Sequence, residues 1–278
     1  MVPMTSAIRR SEPTSSLRDV PLLLVTNDDG VDSPGLHALA RAVAPLGELR
    51  IVAPTGQRSW IGKAITRHDP IRVDRVERGG LEMLAVNGTP ADCSQIGIHN
   101  QGDRPDLVLS GINIGANAGS AYVMGSGTVG AALEASISNV PAIAFSGMSW
   151  NDWDGFNRFV LSDESASYWE RMGEVCARVT ESVLRNGFPD CDVLNVNIPV
   201  DADETTTMAG VRVADTAYAA VFSGSGVGDY AHDYTGLSHV EAGEDTDIAA
   251  LQRGEVAVTP LRLRFGSTPG PELDAILG

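Results

Sequence analysis

The stretch 22–30, Leu-Leu-Leu-Val-Thr-Asn-Asp-Asp-Gly, decides how the fold of this chain is interpreted. Its apolar beginning is typical of a buried parallel strand, which we predict at residues 21–26. Two carboxylates, Asp28 and Asp29, follow at the strand's carboxyl end, where open α/β sheets bind ligands. Adjacent like charges repel unless a positive charge lies between them, so the pair predicts a divalent metal site. The alternative is a solvated Asp-Gly turn before a helix that begins near Pro34.

The surrounding sequence alternates between strand and helix patterns, which is typical of a parallel α/β sheet. Further strands are predicted at 49–53, 84–86, 107–109, 142–145, 193–198 and 256–261, and helices at 34–46, 128–138 and 167–185. Thr89 and Pro90 predict a helix start, because threonine caps helices well and proline fits the first turn. The predicted fold class is α/β: a Rossmann-like three-layer fold with a mostly parallel central sheet, plus a C-terminal β-hairpin and loop extension.

Composition divides the chain into three parts. Residues 1–20 lack the apolar segment of a secretory signal and are predicted to be a flexible N-terminal tail. Residues 21–199 are predicted to form the α/β core that carries the active site. Residues 200–278 are predicted to be an extension of hairpins and loops with a final strand and a tail, which helps copies of the chain associate. Within it, the polar, glycine-rich segment 200–246 is expected outside the main sheet, and 266–278 is expected to end in a short helix.

Charge and cysteine content exclude several classes of function. The formal net charge is −16, from 36 acidic and 20 basic residues among 278. A nucleic-acid polymer is therefore not expected as a partner, because no cluster of Lys and Arg can displace its counterions. No apolar run reaches the length of a membrane span. The three cysteines have no C-x-x-C spacing, which predicts free thiols rather than a disulfide framework or a zinc site. A cytoplasmic location is predicted.

Two further polar clusters follow predicted strands. They are 55–59, TGQRS, and 110–119, SGINIGANAG. If the strands are neighbours, both clusters meet the Asp28-Asp29 pair at one edge of the sheet. Their carboxylate, amide and hydroxyl oxygens favour Mg²⁺, Mn²⁺ or Ca²⁺ over zinc.

The hexapeptide 125–130, GSGTVG, precedes a predicted helix. Small residues there let backbone amides approach an anion, and the helix dipole favours negative charge, so a phosphate oxyanion fits. The alternative is that Ser126 or Thr128 only caps the helix. The hexapeptide also matches the G-x-G-x-x-G pattern of dinucleotide-binding oxidoreductases, but that pattern should follow a strand, and none is predicted at 117–124.

Four motifs, in this order, resemble the SurE family of stationary-phase survival proteins, which are metal-dependent 5′-nucleotidases. The motifs are NDDG with Pro34-Gly35, VAP with QRS at 57–59, NGTPADC at 87–93, and SGIN-x-G-x-N-x-G with SGT at 126–128. The resemblance runs from Leu23 to about Ser146 and resumes at 194–199 and at 246–261. One departure is Trp60, which stands where the family usually has glycine; its ring is expected to narrow the pocket or to stack on a base.

The resemblance implies one divalent metal ion per subunit. The expected ion is Mg²⁺ or Mn²⁺, and Ca²⁺ is the alternative occupant of the same site in a crystal. The implied metal ligands are Asp28, Asp29, Ser59 and Asn113, and the implied phosphate-binding residues are Asn113, Asn117, Ser126, Gly127 and Thr128. The predicted catalytic residues are Asp28, Asn117 and Ser126, with Asp28 orienting or deprotonating the attacking water.

The predicted reaction is hydrolysis of nucleoside 5′-monophosphates to nucleoside and phosphate by a metal-activated water. The expected partners are this small-molecule substrate and further copies of the chain, in a homodimer or homotetramer. Two alternatives stay open: a phosphatase for other phosphate esters or short polyphosphate, and a non-catalytic nucleotide-sensing module. The second alternative predicts an altered set of metal ligands.

Overall fold

The computed structural model describes residues 20–148, 153–241 and 243–263. Apart from Val20, the predicted N-terminal tail lies outside these residues, and so does the short helix expected in 266–278. Within the described ranges, no helix combines the length and apolar character needed to cross a membrane. Cys93, Cys176 and Cys191 are buried and form no disulfide, in agreement with the predicted thiols.

The chain forms thirteen strands and seven α-helices in its described part. The strands are β1 (Leu22–Thr26), β2 (Glu48–Pro54), β3 (Val73–Arg78), β4 (Leu81–Val86), β5 (Leu107–Ile114), β6 (Ala142–Met148), β7 (Val193–Pro199), β8 (Met208–Gly210), β9 (Thr216–Tyr218), β10 (Phe222–Ser223), β11 (Ala231–His232), β12 (Leu237–Val240) and β13 (Val256–Leu261). The helices are α1 (Pro34–Val43), α2 (Pro90–His99), α3 (Ser120–Gly125), α4 (Gly127–Ile137), α5 (Trp153–Val160), α6 (Ala166–Asn186) and α7 (Asp247–Gln252).

Nine strands form one central sheet in the order β3-β4-β2-β1-β5-β6-β7-β13-β8. All neighbours in this sheet are parallel except β3 with β4 and β7 with β13. Helices α1 and α6 pack together against one face, and α2 and α4 pack together against the other. The predicted fold class, a mostly parallel sheet between two helical layers, is confirmed.

Strand β1 lies at the centre of this arrangement because its sequence is apolar on both faces. Leu23 and Val25 join the core beneath α1 and α6, while Leu24 joins the core beneath α2 and α4. All five residues of the strand are buried. Its neighbours, β2 and β5, are the strands that carry the other two polar clusters. The polar residues that follow β1 therefore emerge at the middle of the sheet edge.

The strand before SGIN is longer than predicted. The sequence favoured an end at Leu109, but β5 continues through Ser110 to Ile114 and pairs with β6 along this extension. The pairing register shifts between Ser110 and Asn113, which interrupts the regular ladder. The small, polar composition of SGIN gave no strand signal, because the sheet holds it by backbone pairing. Asn113 consequently lies in a strand rather than in a loop.

The strand β3 and the helix α3 are among the elements that were not predicted. The strand β3 is an edge strand rich in charge, and its side chains are largely exposed, so it lacks the apolar alternation of an inner strand. The helix α3 has only six residues, too few for a periodic pattern to be recognised. Its presence agrees with the prediction that 117–124 contains no strand, and it weakens the dinucleotide-binding alternative further.

The C-terminal region contributes more to the sheet than predicted. Strand β13 was predicted at the observed residues, and it pairs antiparallel with β7. The expectation that all of 200–246 lies outside the main sheet is wrong for β8, because this short strand covers the otherwise open edge of β13. The remaining strands form two separate pairs, β9 with β12 and β10 with β11. We call residues 216–240, which contain these pairs, the arm.

The helix α1 should tolerate no side chain at Gly35. A Cβ at this position would lie 2.1 Å from the carbonyl oxygen of Ile112 and 3.0 Å from the ring of Trp169. We expect Gly35→Ala to lower the free energy of unfolding by about 1–3 kcal/mol, as overpacking of a core does. Urea denaturation measures the effect, with Gly210→Ala as the control because open space surrounds that position. Equal stabilities of the two variants would contradict the predicted close packing of α1 on β5.

Candidate active site at the centre of the sheet edge

One cavity of about 940 Å³ opens at the carboxyl ends of β1, β2 and β5. Six of the predicted site residues line it: Asp28, Asp29, Ser59, Asn113, Asn117 and Ser126. This volume lies near the upper end of the range of about 300–1,000 Å³ for small-molecule sites. The structure thus brings together residues that are up to 98 positions apart in sequence, since Asp28 and Ser126 share this cavity.

The turn after β1 is closed by its own side chain. The Asn27 amide donates to the carbonyl of Gly30 at 3.1 Å and accepts from the Gly30 N–H at 3.2 Å. Gly30 has a φ of +97°, and a Cβ there would lie 2.9 Å from the Cα of Gly56. Glycine is required because the turn is left-handed at this residue and lies against the loop after β2. This turn fixes the directions of Asp28 and Asp29.

Asp28 is buried against the start of helix α4. The Thr128 hydroxyl donates to its Oδ1 at 2.5 Å, and a Cβ on Gly127 would lie 2.8 Å from its Oδ2. Burial raises the pKa of Asp28 to about 6, although the hydrogen bonds from Thr128 and from nearby backbone amides act in the opposite direction. Gly127 is therefore small because the carboxylate occupies the space of its side chain.

Asp29 is the more strongly perturbed of the two carboxyls. Burial, and secondly the charge of Asp28, raise its pKa to about 8, and one hydrogen bond from the backbone N–H of Ile114 at 3.1 Å opposes this rise. Within the described ranges, neither Asp28 nor Asp29 forms an ion pair with Lys, Arg or His. The protein thus buries two adjacent carboxyls without supplying a cation of its own.

This donor set fits a hard divalent cation. Ser59 and Asn113 line the same cavity as the two carboxylates, and all four offer oxygen. The Asn113 amide nitrogen donates to the Gly115 carbonyl at 2.6 Å, which leaves Oδ1 as the oxygen available to a ligand. Among the described residues, no cluster contains three or more His, Cys, Asp or Glu side chains. Two carboxylates with neutral oxygens match Mg²⁺ or Mn²⁺ chemistry and not a zinc site.

Asn117 is held rigidly by the last residues of β7. Its backbone N–H donates to Asn197 Oδ1 at 2.8 Å, and its carbonyl accepts from the amides of Asn195 and Asn197 at 2.7 and 3.3 Å. Its side-chain nitrogen donates to Ser146 Oγ at 2.8 Å. Asn195 and Asn197 are site-supporting residues that sequence reasoning missed. The alternation of Asn with apolar residues at 193–198 was interpreted only as a strand.

Ser126 has a structural role at the start of α4. Its hydroxyl caps the helix by accepting the backbone N–H of Val129 at 3.0 Å, which is the capping alternative considered for this segment. The same residue lines the cavity, whereas Gly127 and Thr128 are not among the lining residues. The Thr128 hydroxyl is engaged by Asp28, so the predicted contact of Thr128 with phosphate stays a prediction.

Comparison with known proteins places the chain in a family. The model of the family described as survival protein SurE matches residues 23–221. The chain belongs to the SurE family. A relative from Methanocella arvoryzae, named 5′-nucleotidase SurE, is 41% identical over 249 residues, covering 87% of this chain and 91% of the relative. Another of the same name, from Pelobacter propionicus, is 37% identical over 256 residues, covering 87% and 93%.

A solved structure of the family has the same fold. The crystal structure of the SurE protein from Aquifex aeolicus superposes with a TM-score of 0.69 at 32% identity, and the match covers 89% of this chain and 95% of that one. Three of the four motifs that resemble the family contribute residues to the cavity lining.

An aromatic wall forms one side of the cavity. Trp60 contacts the rings of Tyr122, Tyr218, His232 and Tyr234, with centroids 5.2–6.2 Å apart. Three of these four residues come from the arm, whose sequence gave no motif that could be transferred. The sequence predicted only that this region helps copies of the chain associate, so the packing of its aromatic rings on Trp60 was not anticipated.

Trp60 adopts a backbone conformation that favours glycine. Its φ is +59°, in the left-handed region, where a residue with a side chain is disfavoured by about 1–2 kcal/mol. This conformation agrees with the expectation that glycine suits this position. The aromatic contacts offset the conformational cost in this chain.

Replacing Asp29 by Asn should stabilise the metal-free protein. Because the pKa of Asp29 is raised from 3.8 to about 8, its ionisation opposes folding above pH 3.8, and this cost grows until about pH 8. We expect Asp29→Asn, measured in EDTA, to gain on the order of 1 kcal/mol at pH 8 and little at pH 4. The rise in melting temperature that Mn²⁺ gives the unaltered protein should disappear.

The control for this experiment is Asp69→Asn, which removes an exposed carboxyl far from the cavity lining. It should change neither the pH dependence of the melting temperature nor its response to Mn²⁺. A destabilised Asp29→Asn protein in EDTA at pH 8 would show that the carboxylate pair is not the source of strain.

Proposed function

We propose that this protein is a metal-dependent 5′-nucleotidase that hydrolyses nucleoside 5′-monophosphates to nucleoside and phosphate. The observation that carries the proposal is the buried Asp28-Asp29 pair, which has no cationic side chain as a partner among the described residues and faces a nucleotide-sized cavity. Relatives named 5′-nucleotidase SurE match almost the whole length of the chain. Their activity agrees with what the donor set and the cavity support here.

We assign the metal to Asp28, Asp29, Ser59 and Asn113, with one ion per subunit. The bound ion would polarise a phosphate oxygen and lower the pKa of a water molecule, and Mg²⁺ or Mn²⁺ both suit the oxygen ligands. Asp29 is held by the Ile114 N–H and Asp28 by the Thr128 hydroxyl, so each carboxylate keeps one oxygen free of these bonds. That arrangement supports a preformed site.

The chain's own contribution to phosphate binding comes from Asn117 and the start of α4. The backbone N–H and carbonyl of Asn117 are both hydrogen-bonded to β7. Its position is therefore preorganised and needs little reorganisation during the reaction. Helix α4 has eleven residues and begins at Gly127, so its positive end faces the buried edge of the site next to Ser126. Phosphoryl transfer mainly requires positioning and charge stabilisation, which these groups are suited to provide.

Asp28 is the proposed acceptor of the proton from the attacking water. It lines the cavity as a proposed metal ligand, so a water held by the same ion would lie beside its carboxylate. Ser126, at the start of α4, lines the same cavity and would orient the phosphate through its hydroxyl. A non-catalytic nucleotide sensor is the less favoured alternative, because all four metal positions retain oxygen donors.

We also propose that the protein assembles as a homodimer or homotetramer through the arm. Large apolar side chains on the arm are exposed in the single chain: Phe222, Val227, Tyr230 and Val240. Burying such a surface against another copy would remove it from water.

Phosphate release from a panel of substrates tests the proposed activity. We expect turnover of nucleoside 5′-monophosphates to stop in EDTA and to return when Mg²⁺ or Mn²⁺ is added back. Nucleoside 3′-monophosphates, a sugar phosphate and short polyphosphate complete the panel. Turnover that survives EDTA would overturn the metal assignment, and equal kcat/KM values across the panel would overturn the substrate assignment.

Asp28→Asn should abolish most turnover while the protein stays folded. Loss of a general base typically lowers the rate by about a hundred- to ten-thousandfold, and loss of a metal ligand adds to this. Asp32→Asn is the matched control, since Asp32 lines the same cavity but pairs with Arg78 at the surface. Steady-state kinetics with saturating Mn²⁺ compares the two variants. A near-normal kcat in purified Asp28→Asn protein would contradict the role proposed for Asp28.

A further inference from the structure

We propose that Trp60 is the platform on which the nucleobase of the substrate stacks, and that it makes the enzyme prefer purine over pyrimidine nucleotides. This inference rests on the proposed nucleotidase function and adds the specificity-determining residue. Trp60 follows the proposed metal ligand Ser59 directly and lines the same cavity as Asp28 and Asn117. A substrate whose phosphate is bound through the proposed metal therefore has an aromatic ring within the same cavity.

The indole of Trp60 is held in place but is not covered. Its four ring neighbours meet it at interplanar angles of 62–78°, so none of them is stacked parallel to it. Trp60 remains 43% exposed. A base that enters the cavity can therefore stack on the indole without displacing a stacked neighbour in the described part of the chain.

The wall around Trp60 is rigid on the side of the arm. The hydroxyls of Tyr122 and Tyr234 are 2.6 Å apart and form a hydrogen bond between α3 and the arm. Tyr234 and His232 both line the cavity together with Trp60. A ring held by four aromatic neighbours loses little freedom when a ligand stacks on it, which favours binding.

The alternative role for Trp60 is purely structural: its ring would only anchor the arm to the core. Both roles explain a large side chain in a left-handed conformation. They differ in the substrates for which loss of the ring lowers kcat/KM. An anchor supports the whole cavity and therefore affects every phosphate ester equally. A platform affects only substrates with a base, and affects the larger purine ring system most, because stacking grows with the area in contact.

The test compares Trp60→Gly and Trp60→Phe with the unaltered protein. Glycine suits the left-handed backbone at this position, so this variant removes the ring without adding backbone strain. We measure kcat/KM with Mn²⁺ for adenosine 5′-monophosphate, cytidine 5′-monophosphate and ribose 5-phosphate. In Trp60→Gly, the ratio of adenosine 5′-monophosphate to ribose 5-phosphate should fall about tenfold or more, as expected for a lost stacking contact. Trp60→Phe should restore most of this ratio.

The matched control is Tyr230→Ala, which removes another half-exposed aromatic ring from the arm but one outside the cavity lining. It should leave the ratio unchanged. Equal losses for all three substrates in Trp60→Gly would overturn the platform and support the anchor. A ratio that Trp60→Gly does not change would overturn it as well.

Binding of adenosine, measured by calorimetry in EDTA, separates this inference from the proposed function. Adenosine has no phosphate, so its affinity reports the platform alone and should fall about tenfold in Trp60→Gly. If the unaltered protein hydrolyses no nucleotide yet binds adenosine through Trp60, the nucleotidase assignment fails and the platform stands. If it hydrolyses nucleotides and Trp60→Gly binds adenosine as well as the unaltered protein, the platform fails and the nucleotidase assignment stands.

Discussion

The burial of two adjacent carboxylates at the end of β1 is the constraint on which the rest of the site depends. An unpaired buried charge costs several kcal/mol, and the described residues provide no cationic partner for Asp28 or Asp29. The fold tolerates this cost because every neighbouring group is a donor or an oxygen: the Thr128 hydroxyl, the Ile114 amide, Ser59 and Asn113. Such an environment is incomplete without a cation, and the divalent ion that we propose would complete it.

The position of β1 in the sheet makes this arrangement reachable. β1 pairs in parallel with β2 on one side and with β5 on the other. Because the carboxyl ends of the three strands are adjacent, the polar residues that follow them lie close together. The α4 helix then approaches from one face, where Ser110 Oγ donates to the Thr128 carbonyl at 2.8 Å and fixes the start of the helix. From the far side, β7 contributes Asn195 and Asn197. Residues from or directly after four strands, β1, β2, β5 and β7, and from the start of helix α4 thus surround or support the site.

The sequence predicted the part of the site that depends on local chemistry. The run 22–25 and the NDDG that follows identify a buried strand end, and the hardness of the oxygen ligands is the basis for the proposed type of metal. The hydrogen bond from Thr128 to Asp28 could not be predicted from the sequence. A hydroxyl at the start of a helix can donate equally well to a phosphate or to a carboxylate 100 residues away. The extension of β5 through SGIN was missed for a related reason: glycine, serine and asparagine have no strand preference, and only pairing with β6 holds them extended.

Local sequence patterns predict the groups that suit the phosphate end of a nucleotide, but they do not predict the surface that suits its base. Its phosphate needs fixed charges and hydrogen-bond donors, which short motifs at strand ends can encode. Its base needs a flat apolar surface, for which we propose the aromatic wall that the loop after β2 forms with helix α3 and an arm more than 150 residues away along the chain. Aromatic residues scattered in a polar segment carry no spacing signal. The base-binding surface is therefore the part of such an enzyme that can change without altering the catalytic motifs.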